Sequence, residues 1–192
     1  MSDFNFYFGL GWEHIISPDA LDHQLFILAL AALYLFKDWK QVLILITAFT
    51  IGHSITLLLS VLDIFRISGK WVEFLIPCTI VITALTNLLQ KNPKAGSVHI
   101  NYILALFFGL IHGMGFANTI RFMLAADQGI GWGLFGFNAG LEVGQIVRVL
   151  FILGISFVFV SLLKVGHRNW VLFLSAAVFS LALKMSIERL PF

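Results

Sequence analysis

The chain has 192 residues, 59% of them hydrophobic and only 11% charged, with phenylalanine alone supplying 20. Soluble domains carry about a quarter charged residues, so a water-soluble fold is excluded, and a formal charge of +2 without a basic run argues against a nucleic-acid partner. The single cysteine, Cys78, excludes an internal disulfide and a cysteine-rich zinc site and reads as a small buried hydrophobe.

A helix crossing the hydrocarbon layer needs about 20 mostly apolar residues. Six such stretches with short connections use up the sequence, which predicts an all-α polytopic membrane protein. It would be one domain over residues 1–192, a bundle of about six transmembrane helices in contact with the lipid bilayer. Met1 to Gly11 lacks the basic start and apolar core of a cleaved signal peptide. Ser17-Pro18-Asp19 reads as an N-cap, a first-turn proline and a first-turn acid, and predicts a first helix from about Pro18 to Phe36. The second runs from about Gln41 to Leu62 and the third from Trp71 to Leu89. The fourth covers Val98 to Phe116, with a possible extension to Ala125. After Asp127 to Gly133 the fifth continues to about Leu163, long enough to require tilt or a non-spanning start. The sixth ends near Ile187.

Loops on the side opposite the N-terminus hold Lys37, Lys40, Lys91, Lys94, Lys164 and Arg168. The N-terminal side holds Arg66, Lys70, Arg121 and Arg189. The excess of Lys and Arg predicts that the first set is cytoplasmic, leaving both termini on the extracytoplasmic side.

Ionisable groups inside membrane helices are rare and need a shared physical reason. Following the chain back and forth brings Asp22, His23, His53, Glu73, His112 and Glu142 to one depth, in the outer half. Asn138, Glu142 and Gln145 recur at i, i+4 and i+7, which is one helix face. Thr47, Thr50 and Ser54 flank His53 and are candidates to orient its ring by hydrogen bonding. Gly136, Gly140 and Gly144 form a small-residue seam that lets another helix approach closely, and Gly109, Gly113 and Ala117 do the same around His112. A metal ion held by imidazoles and carboxylates accounts for the gathering. More ordinary roles stand beside it: Glu73 and Asp19 can offset a helix dipole, Asn138 and Gln145 can knit helices, and His99 and His167 read as solvated. Arg148, near the middle of the fifth helix, needs a partner or a water cavity, and the sequence identifies none.

These residues occur in blocks that resemble a known family. Gly11-Trp12-Glu13-His14, Asp22-His23-Gln24-Leu25-Phe26, Ala48-Phe49-Thr50-Ile51-Gly52-His53-Ser54, Val72-Glu73, the run Phe108 to Ala117 around His112, and Phe137 to Gln145 around Glu142 are similar to the HupE/UreJ family, in order, from about Gly11 to Gln145. The resemblance implies nickel or cobalt uptake in a bacterial cytoplasmic membrane, with His14, Asp22, His23, His53, His112 and Glu142 as metal residues. One departure is the spacer between His14 and the Asp22-His23 pair, longer here than is usual in the family, and it introduces Asp19 as a further acid.

The leading expectation is a permease for a divalent transition metal. Imidazole plus carboxylate suits nickel, cobalt and zinc alike. An intramembrane zinc hydrolase acting on a lipid or membrane-anchored substrate is the alternative, with Glu142 or Asp22 as general base. Haem between His53 and His112 is a third reading, which the nearby carboxylates oppose.

Overall fold

The computed structural model describes residues 3–64, 67–90, 98–125 and 130–192. The loop positions Arg66, Lys91, Lys94 and Asp127, and the side chains of His99 and Arg121, lie outside what is described. The helices in chain order are α1 (Asp3–Ile16), α2 (Leu21–Ala31), α3 (Trp39–Val61), α4 (Gly69–Leu89), α5 (Val98–Ala125), α6 (Ile130–Ser156) and α7 (His167–Glu188). A 3-10 turn, Phe36–Asp38, leads into α3, and a wider π segment, Phe157–Leu162, prolongs α6. Among the described residues there is no strand. Phe36–Val61, Gly69–Leu89, Gly131–Leu162 and His167–Glu188 are long and apolar enough to cross a membrane, while Leu21–Ala31 and Asn101–Ala117 are shorter apolar helices.

From α3 onward the helices follow the sequence expectation closely. The N-terminal region differs. Ser17-Pro18-Asp19 does not open a full-length helix; it interrupts one. Proline lacks an N–H and its ring clashes with the carbonyl of the preceding turn, so α1 ends at Ile16 and the chain resumes as α2 only at Leu21. The helix then stops at Ala31, well short of Phe36.

The two pieces run in one direction. Reading down the chain, Tyr7 donates to the Met123 carbonyl on α5 (3.4 Å) and the His14 ring lies 4.4 Å from Phe116. His23 then lies 5.2 Å from His112, Phe26 lies 5.9 Å from Phe108, and Asn101 donates to Tyr34 (3.3 Å). Residues 7 to 34 therefore descend α5 from its C-terminal end to its N-terminal end. Together α1 and α2 form one discontinuous helix, broken halfway.

Glycine sets how closely its neighbours pack. A Cβ at Gly140 would overlap the Phe8 carbonyl, one at Gly11 the Phe137 carbonyl, and one at Gly136 would come within 2.8 Å of the Phe4 carbonyl. The glycine seam of α6 thus receives α1, parallel to it. On the other side of the bundle, a Cβ at Gly109 would meet the Phe49 carbonyl, and one at Gly113 would meet Thr56 Oγ1 and the His53 backbone. This close approach of α3 and α5 positions His53 and His112. Helix α4 is antiparallel to α7, with Arg168 donating to the carbonyls of Asn87 and Leu88 (3.1 and 2.8 Å) and Trp71 meeting Phe192.

Candidate metal centre

His14 occupies the last turn of α1, and Asp22 and His23 the first turn of α2, so the interrupted helix delivers three polar groups to one place. His53 comes from the middle of α3 and His112 from the middle of α5. His53, His112 and His23 are buried, at 0, 1 and 7% exposure. Ligand nitrogens of His14, His23 and His53 all lie within 4.8 Å of one another. In a tetrahedron around a zinc-like ion, with bonds of about 2.0–2.1 Å, nitrogens lie about 3.4 Å apart, a shorter spacing than the 4.8 Å limit within which this trio falls. His112 adjoins it through His23.

The hydrogen bonding of these rings is unusual. His14 Nε2, His23 Nε2, both nitrogens of His53 and His112 Nδ1 are buried without a partner. Native proteins pair nearly all buried polar atoms, and an orphan points to strain, catalysis, a bound water or an ion. Four imidazoles from four helices, each able to offer one lone-pair nitrogen, fit a borderline divalent cation, for which neutral imidazole is a favoured ligand. Phe26, Phe49, Phe116 and Phe137 close around the rings, with Phe49 5.2 Å from His112 and Phe137 6.2 Å from His53.

A cavity of about 550 Å³ reaches His14, His23 and His112. Among the described residues its wall also carries Glu13, Asp19, Asp22 and Glu73, against one cation, Arg189. A cleft with an excess of one sign of charge concentrates counter-ions, and the described acids outnumber Arg189 here. Asp22 does not face the site unopposed: its Oδ2 accepts from Arg189 Nη1 (2.9 Å), while Oδ1 is buried and unpaired. Asp19 and Glu73 are exposed.

The α6 face with Asn138, Glu142 and Gln145 does turn toward α3. Gln145 accepts from Thr50 (3.0 Å, buried) and Glu142 from Thr47 (2.7 Å). Asn138 lies beside the His53 ring and faces it as a loose hydrogen-bond acceptor, without closing to a full hydrogen bond. Glu142 is not within the 4.8 Å grouping of His14, His23 and His53. Ser54 spends its hydroxyl on the Thr50 carbonyl of its own helix (2.7 Å).

Arg148 finds its partner in the break of the first helix. Its Nη2 donates to the carbonyl of Ile16, the last residue of α1 (2.8 Å). A helix C-terminus presents unpaired carbonyls and partial negative charge, so this buried-side cation caps α1 two residues beyond His14. Gln24 reaches back to the Ser17 carbonyl (2.6 Å), and Ser17 N closes onto the Glu13 carbonyl (2.9 Å). The carbonyls of Glu13, Ile16 and Ser17 at the break are thereby paired within the protein.

Three contributors escaped the sequence reading. Thr79 of α4 sits 3.1 Å from His112 Nε2; it continues the stripe Thr83, Thr86 and Asn87 at helical spacing, a signal that was available. Arg189 counts in the sequence only as a cation on the N-terminal side, and Glu13 offers no pattern beyond its place before His14.

No curated protein and no solved structure matches the chain. A family model described as HupE / UreJ protein matches residues 1–189, nearly the whole sequence. With its apolar helices and a histidine cluster able to hold a metal ion, this chain belongs to the HupE/UreJ family of multi-pass membrane proteins.

Proposed function

We propose that the protein is a permease for a divalent transition metal, of the nickel or cobalt type, in a bacterial cytoplasmic membrane. The broken helix and α3 to α7 would make six crossings of a single domain, 1–192, with both termini and the acidic vestibule outside. The observation that carries this reading is the cluster of unpartnered imidazoles built on the two ends of a discontinuous helix and open to an acidic cavity. Helices broken at mid-depth are a recurrent device of transporters, because both half-helices can present ligands and shift independently.

The sequence of events follows from the residues. Glu13, Asp19, Asp22 and Glu73 gather the hydrated ion. His14, His23 and His53 replace water with nitrogen ligands, with His112 next in line. Inward movement is blocked by Phe26 and Phe108, which separate His112 from a small cleft of about 70 Å³ lined by Tyr34, Thr83, Thr86, Asn87, Gln90 and Asn101. Passage requires those rings to part, which is the closed half of an alternating-access cycle.

Nickel uptake into proteoliposomes should be saturable and should vanish with His53→Ala. Stoichiometric metal without flux would instead favour the alternative, an intramembrane zinc hydrolase, for which the open vestibule and the nearby Asp22 supply a substrate entrance and a base. The transport reading fails if no flux is found, and the metal reading fails with it if no metal is bound.

A further inference from the structure

We infer that Thr79 is a positioning residue that fixes the tautomer of His112 and thereby assigns Nδ1 as its metal-binding atom. The inference rests on the metal reading above and adds to it the atom that binds and the residue that selects it.

Thr79 and His112 are both buried, at 4 and 1% exposure. A threonine hydroxyl has one hydrogen and two lone pairs. Thr79 Oγ1 donates that hydrogen to the Ile76 carbonyl one turn back (2.7 Å), beside Pro77 in α4. It also lies 3.1 Å from His112 Nε2. With its only hydrogen committed, Oγ1 meets Nε2 as an acceptor, so Nε2 carries the imidazole proton. A neutral imidazole has one N–H, which leaves a lone pair on Nδ1. That nitrogen is the one buried without a partner. The ring is held on its other sides by Phe26 and Phe49, each 5.2 Å away, and by His23 at 5.2 Å. Metal-bound histidines usually donate their second nitrogen to a neighbouring acceptor, which fixes ring orientation and raises ligand basicity. Thr79 stands in that relation to His112. Thr79 thus gives His112 a close ring hydrogen bond, whereas Asn138 approaches His53 only loosely, which sets His112 apart as the preoriented member.

The test uses the full-length protein in nanodiscs with imidazole-15N histidine, and His112→Gln to assign the resonance. Without metal, the wild-type His112 spectrum should show the Nε2–H tautomer, and titration with zinc should shift Nδ1 selectively. Thr79→Val, nearly isosteric, should mix the tautomers and weaken zinc binding about tenfold, and Thr79→Ser should restore both. An Nδ1–H tautomer in the metal-free wild type overturns the inference, and so does wild-type zinc affinity in Thr79→Val. Because the tautomer is read without metal, failure here is distinct from failure of the metal reading, which would show as unchanged metal binding in His53→Ala.

Discussion

Replacing His53 with leucine should stabilise the metal-free protein while abolishing metal binding. His53 is fully buried, and neither ring nitrogen closes a full hydrogen bond, Asn138 approaching the ring only loosely. A buried polar group left unpaired costs about 1–3 kcal/mol, and leucine fills a similar volume without one. Loss of the contacts with Phe137 and Phe49 offsets about 0.5–1.5 kcal/mol, leaving a net gain of about 1 kcal/mol. Metal reverses the order. A ligand at a hundredfold excess over its Kd stabilises the wild type by about 2.7 kcal/mol and leaves the variant untouched. The assay is reversible unfolding in mixed micelles, first with a chelator and then with nickel or zinc. A chelated variant less stable than wild type by more than about 1 kcal/mol would mean that the imidazole is a satisfied packing residue. The ligand assignment would then collapse.

Three other substitutions probe the framework. Gly113→Val should lower stability by about 1–3 kcal/mol, the usual cost of overpacking, because its side chain would enter the space of Thr56 and the His53 backbone; unchanged unfolding would contradict the tight α3–α5 seam. Arg148→Met removes no ligand, yet it uncaps α1 beside His14 and should weaken metal binding about tenfold, or about 1.4 kcal/mol; calorimetry with wild-type affinity would separate the cap from the site. Arg189→Gln releases Asp22 and deletes the vestibule cation, so metal capture should quicken at low ionic strength and the gain should shrink with salt; stopped-flow binding that is slower or salt-independent would refute that role.

Much of this was legible in the sequence. Low charge and long apolar runs fixed the helical membrane architecture, and residues such as Trp39, Gly69 and Leu89 bound helices within two or three positions of where hydropathy placed them. The polar face of Asn138, Glu142 and Gln145 was also correct as a face, since helical spacing is local. What it touches is not local: Glu142 meets Thr47 and Gln145 meets Thr50 across the bundle. The N-terminal helix was misread because Asp3–Ile16, at 14 residues, is too short to register as a crossing. Its stability comes from burying Tyr7 and Ile15 and from the fit of Gly11 against α6, which only the assembled bundle supplies. Arg148 was puzzling for the same reason, because its acceptor lies 132 residues away.

The interrupted first helix constrains how the polypeptide is made. Neither its 14-residue nor its 11-residue half approaches the ~20 residues that partition into a bilayer unaided. The docking surface for the earlier half is synthesised more than a hundred residues later, on α6. The leading segment therefore gains its packing partner only after α6 has been made, so its burial is expected to follow synthesis of α6. A nascent chain stopped before Gly131 should leave Trp12 reachable by aqueous quenchers, and the complete chain should shield it.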